Sequence, residues 1–172
     1  MILATKRGDN DIIEALLSSG RCDASKQNKY GHTALHDAAK SGRMDLLAMM
    51  VFHGANKDIQ DRWKSTPLMY ATLHGHSNCV ALLVQSECSV NLTNMGGRTA
   101  LHTAAQNGHA NIVGLLLQAN ADVDVRDSEN DTPVLLAGRY QHYAIVKYEN
   151  VWFSLEFACN YRVPTAYWNL ST

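Results

Sequence analysis

Prolines, paired cysteines and long apolar runs are all scarce in this chain of 172 residues. It has three prolines and four cysteines, and no two cysteines have the CxxC spacing of a zinc site. No stretch reaches the ~20 apolar residues of a membrane span, and Lys6 comes too early for a secretory signal. We therefore expect a reduced protein of the cytosol or nucleus, without a bound metal or direct membrane insertion.

The chain also lacks an excess of charge of either sign. Its formal net charge is −1, and charged residues make up 18% of the chain against 46% apolar residues. Such a composition suits a folded domain with a buried core and gives no electrostatic reason to expect nucleic-acid binding. The glycines are dispersed, and no phosphate-binding loop of the GxGxxG or GxxxxGK[ST] type occurs. We expect no cofactor.

What the chain does contain is an internal period. Thr33, Thr66, Thr99 and Thr132 are evenly spaced, and each opens a related phrase: TALHDAAKSGR, TPLMYATLHGH, TALHTAAQNGH and TPVLLAGRYQH. Apolar pairs follow each threonine at the same distance, for example Leu46-Leu47 and Ile112-Val113. A constant period between about 20 and 50 residues indicates repeated structural units that stack on one another.

The repeated phrase resembles the ankyrin repeat family, whose unit of about 33 residues is a β-turn followed by two antiparallel helices with the motif T-P-L-H-x-A. The resemblance implies an all-α solenoid of stacked helix-turn-helix units joined by β-turn or hairpin loops. Met69 and Leu135 replace the histidine of the motif, Lys64 and Asn130 replace its turn glycine, and Gln141 replaces a glycine between helices. We expect an array over residues 1–147, with a partial first unit at 1–27, full units at about 28–60, 61–93 and 94–126, and a degenerate last unit at 127–147.

Each recurring polar residue has a physical role in such a unit. The threonines stand where helices begin, and their hydroxyls can accept a hydrogen bond from an unpaired amide. Pro67 and Pro133 suit the first helical position, and His36 and His102 can brace the capping threonine or the neighbouring turn. Short helices are marginal alone, so the units must hold one another. The predicted core consists of Leu35, Leu46, Leu47, Met50, Val51, Leu68, Val80, Leu83, Val84, Leu101, Ile112, Val113, Leu116 and Leu117.

The repeated pattern argues against an enzyme. A nucleophile and its base normally occur once, whereas five of the eight histidines lie at positions set by the repeat. Cys79 and Cys88 occupy apolar columns and are expected to be small buried residues. Asp122, Asp124, Asp127 and Glu129 form an acidic patch, but they lack the glycine and terminal glutamate of a calcium loop. An enzyme in its own right therefore remains only a distant alternative.

The resemblance implies a protein-interaction module that binds through the turn tips and the outward side of each first helix. Trp63 is the leading candidate, because exposed tryptophans dominate binding sites, although it could instead pack on Tyr30 or Met95. Basic residues over the first two-thirds of this face suggest an acidic or mixed-charge protein segment as partner, bound by a monomer. The predicted partner-binding residues are Lys29, Tyr30, His32, Arg62, Trp63, Leu73, His74, Met95, Arg98, Gln106 and Asn107.

The pattern breaks after residue 147, and residues 148–172 are rich in aromatic side chains. Two interpretations stay open: a displaced helix that caps the stack, or an appended tail from an alternative exon end. The second interpretation fits an alternative function, in which this chain is the regulatory or targeting segment of a larger enzyme, ubiquitin-ligase adaptor or channel subunit.

Overall fold

The threonine spacing predicts equivalent helices side by side, and a computed structural model of the chain confirms that arrangement. The structure describes Ile2, Ala4, residues 10–19 and residues 23–146, so both interpretations of residues 148–172 lie outside the described residues. The described residues form helices, turns and loops only. The helices are α1 (Asn10–Ser18), α2 (Ala34–Lys40), α3 (Met44–Phe52), α4 (Pro67–Leu73), α5 (Ser77–Gln85), α6 (Ala100–Asn107), α7 (Ala110–Gln118), α8 (Pro133–Arg139) and α9 (Tyr143–Val146).

The helices pack in two rows. The first helices of successive units, α2, α4, α6 and α8, contact one another in that order, and the second helices α1, α3, α5, α7 and α9 do the same. Within a unit the two helices also pack together, as in α4 with α5. This nearest-neighbour packing is the all-α solenoid that the repeat predicts.

Each first helix begins at its threonine. Thr33, Thr66, Thr99 and Thr132 are extended N-cap residues whose hydroxyls accept the amide three residues on. At Thr33 and Thr99 the partner is a histidine, and its ring nitrogen accepts the threonine amide in return, which completes a capping box. The predicted capping role is confirmed in all four units.

The turn before each cap needs a left-handed residue. Gly31 has a φ of 77°, and a Cβ there would lie 2.9 Å from the backbone nitrogen of Arg62. Glycine therefore serves both the conformation and the close approach of the next turn. Lys64 and Asn130 adopt the same positive φ, 57° and 66°, as their positions in the repeat require.

A continuous apolar core lies between the rows of helices. Of the predicted core, Leu46, Leu83 and Leu116 are fully buried, with related residues of the same columns beside them. The prediction was wrong for Val51, Val84 and Leu117, which are only partly buried against the core. They share one position near the end of each second helix, where the helix surface turns toward solvent.

Candidate interaction surface

The turn tips lie in one row because main-chain hydrogen bonds join them. The Arg62 amide donates to the Tyr30 carbonyl at 3.0 Å, and the Met95 amide donates to the Trp63 carbonyl at 2.9 Å. Each bond connects two successive units, so each tip is set against the tip of the next unit. The predicted tip residues of neighbouring units are therefore brought together on one edge of the stack.

An asparagine or aspartate at the start of each turn holds its shape. In Asp61, Oδ1 accepts the amides of Trp63 at 2.8 Å and Ser65 at 2.9 Å. A side-chain oxygen that binds its own backbone two residues on is the Asx turn, which asparagine and aspartate share. The same pair of bonds recurs at Asn28, Asn94 and Asp127.

The second oxygen of Asp61 anchors a partly buried polar cluster that sequence patterns did not predict. Oδ2 accepts the Tyr70 hydroxyl at 2.8 Å and lies 3.2 Å from Nε2 of His32, which is itself 2.9 Å from the hydroxyl. Burial, the hydrogen bond to Asp61 and the charge of that carboxylate raise the pKa of Tyr70. Tyr70 has no aromatic counterpart in its column, and that irregularity is the signal that could have drawn attention to it.

His36 lies directly behind this cluster and is held neutral. Its Nδ1 accepts the Thr33 amide at 3.1 Å, so Nε2 carries the proton and donates to the Ser65 carbonyl of the next unit at 3.1 Å. Burial lowers its pKa to about 4, and its ring stacks on His32 with centroids 4.9 Å apart. The bracing role predicted for this histidine is confirmed.

Trp63 is half exposed at the tip, with 47% of its surface accessible. Its ring meets the edge of His32 at a centroid distance of 6.4 Å. The Arg62 guanidinium lies over both aromatic faces, 5.1 Å from the Trp63 ring centroid and 5.6 Å from that of Tyr30. Lys29 adds a second cation over Tyr30 at 4.9 Å. Arg62 thus bridges Trp63 and Tyr30, the pair for which the sequence left direct packing open.

The side chains of Arg98 and Gln106 form hydrogen bonds with other residues of the chain. The guanidinium of Arg98 donates to Asp127 at 2.8 Å, to Gln106 at 3.0 Å and to Glu129 at 3.3 Å. The Gln106 amide then donates to the Tyr140 hydroxyl at 3.0 Å. Burial opposes ionisation of Asp127, but amide bonds and the guanidinium outweigh it and lower its pKa. The positive charge of Arg98 is therefore compensated by carboxylates of the next unit.

The remaining predicted contact residues are exposed side chains at one turn tip and at the ends of two first helices. Leu73 and Met95 are exposed at 46% and 69%, and His74 ends α4 in an exposed position. Burial, with the nearby charges of Lys40 and His76, lowers the pKa of His74. Asn107 is exposed and donates to the Thr103 carbonyl at 2.8 Å. Leu73, His74 and Asn107 are thus exposed at the C-terminal ends of α4 and α6.

The two cysteines in the described part of the chain are buried among apolar residues. Cys79 and Cys88 are buried free thiols, and burial raises the pKa of Cys88 to about 11. In the described part of the chain, histidine, cysteine and carboxylate side chains form no group of three or more suited to a metal ion. Cys22 and Cys159 lie outside that part. Every helix found in the described residues is too short or too polar to cross a membrane.

Stacked helix pairs with bonded turn tips define a helical-repeat solenoid with a continuous exposed edge. A family model described as "Ankyrin repeats (3 copies)" matches residues 1–94, 42–127 and 89–148. The chain belongs to the ankyrin repeat family. Ankyrin repeats are generally protein-interaction modules, and proteins built from them are usually non-catalytic.

Curated proteins match short stretches of the chain. It is 32% identical over 56 residues to 2-5A-dependent ribonuclease of Mus musculus, a match of 33% of this chain and 8% of that protein. It is 33% identical over 57 residues to ankyrin repeat domain-containing protein 29 of Danio rerio and 35% identical over 57 residues to the Homo sapiens protein of that name. Each of the latter matches covers 33% of this chain and 19% of the relative, so the chain aligns with less than a fifth of any of them.

Proposed function

We propose that the chain is a non-enzymatic module that binds a partner protein through its turn tips and the outward side of its first helices. The observation that carries this proposal is the exposed row of Tyr30, Trp63 and Met95 along bonded tips. Large apolar side chains exposed together on a rigid edge favour protein binding, and tryptophan, tyrosine and arginine contribute most to such contacts. The partner offers an acidic or mixed-charge segment, and the module acts as a monomer in the cytosol or nucleus.

Trp63 is the central contact in this proposal. It is half exposed, its carbonyl accepts the Met95 amide, and its ring lies against His32 and the Arg62 guanidinium. Because its position is fixed before binding, little side-chain entropy is lost when a partner covers it. Leu73, His74 and Asn107 extend the contact along the first helices, whereas Arg98 and Gln106 shape the surface through their internal hydrogen bonds.

Affinity capture with mass spectrometry tests the proposal by comparing three proteins: the parent, Trp63→Ala and Phe52→Ala. Phe52 is 86% exposed at the end of α3, in the row of second helices, so its removal is a matched loss of an exposed aromatic side chain on the other row. We expect Trp63→Ala to lose partners that Phe52→Ala keeps. Equal capture by both variants would place the binding surface elsewhere, and loss with Phe52→Ala alone would move it to the second helices.

A second candidate function is that of a regulatory or targeting segment in a larger protein, such as an enzyme, a ubiquitin-ligase adaptor or a channel subunit. The match to a ribonuclease favours it, because only 8% of that protein aligns with the chain. In this case the array over residues 1–147 acts on the rest of its own polypeptide. Detection of a longer transcript that encodes these repeats, joined to an active domain, would support it.

A further inference from the structure

Unpaired positive charge on the proposed binding face lies at its first two tips and at the end of α2. Lys29, Lys40, Arg62 and Lys64 are all exposed, and none of them forms an ion pair within the described part of the chain. Asp61, the carboxylate of the second tip, is buried and accepts hydrogen bonds from two turn amides and a tyrosine, with Nε2 of His32 3.2 Å away. Its oxygens are occupied by these donors, and it forms no ion pair with the exposed lysines or with Arg62.

At the other end of the same face, carboxylates compensate the positive charge. Arg98 pairs with Asp127 and Glu129, and Arg139 lies 2.6 Å from Asp131 and 3.8 Å from Glu129. Two cations there meet three carboxylates, so an acidic partner gains little at that end and must displace existing pairs to bind there. The charges of the sequence suggested a basic surface over two-thirds of the face, whereas the ion pairs limit its unpaired cations to the tips at residues 28–31 and 61–64 and to Lys40 at the end of α2.

Arg62 is arranged to accept a carboxylate. Its guanidinium lies against the faces of Tyr30 and Trp63, and within the described residues its side chain makes no hydrogen bond. A guanidinium that lies over aromatic rings can keep its in-plane N–H groups available to another partner. Such a fork can hold a carboxylate by two parallel hydrogen bonds. Because the rings already fix the guanidinium, fewer rotamers are lost on binding.

We propose that the tips at residues 28–31 and 61–64 bind an acidic segment of the partner protein, with one carboxylate in the Arg62 fork and a neighbouring apolar side chain on Trp63. This inference rests on the proposed function and specifies the partner's chemistry. Lys29 and Lys64, on either side of Arg62 along the tips, set the charge of the flanking positions. Exposed Met95, whose amide bonds Trp63, extends the apolar part of the site.

A random peptide library displayed on phage tests the inference when it is selected against the parent protein. Selected peptides are then measured by calorimetry on Arg62→Lys, which keeps the charge but removes the fork, and on Arg126→Lys. Arg126 is an exposed arginine outside the tips, and its guanidinium bonds the Asn130 carbonyl, so it is a matched control. We expect sequences with Asp or Glu beside an apolar residue, about tenfold weaker binding to Arg62→Lys, and unchanged binding to Arg126→Lys.

The outcomes separate failure of this inference from failure of the proposed function. Peptides without acidic residues, or equal binding to Arg62→Lys and the parent, would overturn the acidic partner while Trp63→Ala still abolished binding. Peptides that bind Trp63→Ala as well as the parent would overturn the surface itself. Polyphosphate or single-stranded DNA that displaces the peptides at equal charge concentration would show a general polyanion site and overturn the protein partner.

Discussion

Asp61 gives the sharpest test of how the turn tips are held. One oxygen of its carboxylate accepts the amides of Trp63 and Ser65, and the other accepts the Tyr70 hydroxyl, which is itself hydrogen-bonded to His32. In Asp61→Ala these donors lose their acceptor, and water can take the place of the carboxylate only for the donors that are partly exposed. Hydrogen bonds to charged groups are worth about 1.5–3 kcal/mol each, with solvent restoring part, so we expect Asp61→Ala to cost about 3–4 kcal/mol of unfolding free energy.

Asp61→Asn should cost about 1 kcal/mol or less, because the network can be re-formed with reversed donors. The remaining oxygen keeps the two turn amides, as Asn28 and Asn94 do in their own turns. The new NH₂ group can donate to the Tyr70 hydroxyl, which in turn donates to Nε2 of His32. His32 then carries its proton on Nδ1, which faces Asp37 at 3.9 Å.

The equivalent substitution two units on, Asp127→Asn, has no such escape. Its second oxygen accepts Nε–H of Arg98, and arginine has only donors, so an NH₂ group there meets another donor. We expect Asp127→Asn to lower the unfolding free energy by about 2 kcal/mol, after allowance for the solvent that reaches Arg98. Urea unfolding, with coincident fluorescence and circular dichroism transitions, measures all three variants. A cost for Asp61→Asn equal to or above that of Asp127→Asn would refute the proposed donor reversal.

Three further predictions concern the stack. Leu116→Ala should cost about 2–5 kcal/mol by leaving a cavity at a fully buried position, and Leu117→Ala, partly buried, should cost clearly less in the same denaturation assay. Thr99→Ala should lower the unfolding free energy by about 1 kcal/mol through loss of the cap, and Thr99→Ser should restore most of it. Burial depresses the folded pKa of His36 to about 4, so the stability contributed by its neutral form is complete above the unfolded pKa of 6.5 and declines as pH falls toward 4. At pH 5 the loss of unfolding free energy reaches roughly 2 kcal/mol. Melting curves recorded at a series of pH values should show a smaller pH dependence for His36→Gln.

Most of the fold was predictable because its determinants are close in sequence. Thr33 and His36 are three residues apart, and the hydrogen bonds of the capping box follow from helix geometry alone. The apolar columns repeat with the units, so burial of Leu46 implied burial of Leu83 and Leu116. The prediction failed only at Val51 and its equivalents, because sequence position within a short helix does not decide which side chains at its end are covered.

The exposure of the proposed binding surface was predictable from the sequence, but the pairing of its charges was not. Exposure of Trp63 and Met95 followed from their place in the turn. The hydrogen bonds of Arg98 could not be predicted, because its partner Asp127 belongs to the next unit. An arginine in an exposed column can point to solvent or to that unit. Tyr70 was missed for the same reason, since its partners Asp61 and His32 belong to two different turns.

By itself, the sequence determined the unit, its period, its caps and the residues that form the core, because these depend on interactions within one turn of helix or on a pattern repeated in every unit. Tertiary structure alone decided which charges remain available at the surface. Arg62 lies on two rings and stays uncompensated, whereas Arg98 is neutralised by the following unit. The physical reason is that ion pairing depends on the distance between side chains of stacked units. The period places those units side by side, but only their packing sets the distances between the charged groups.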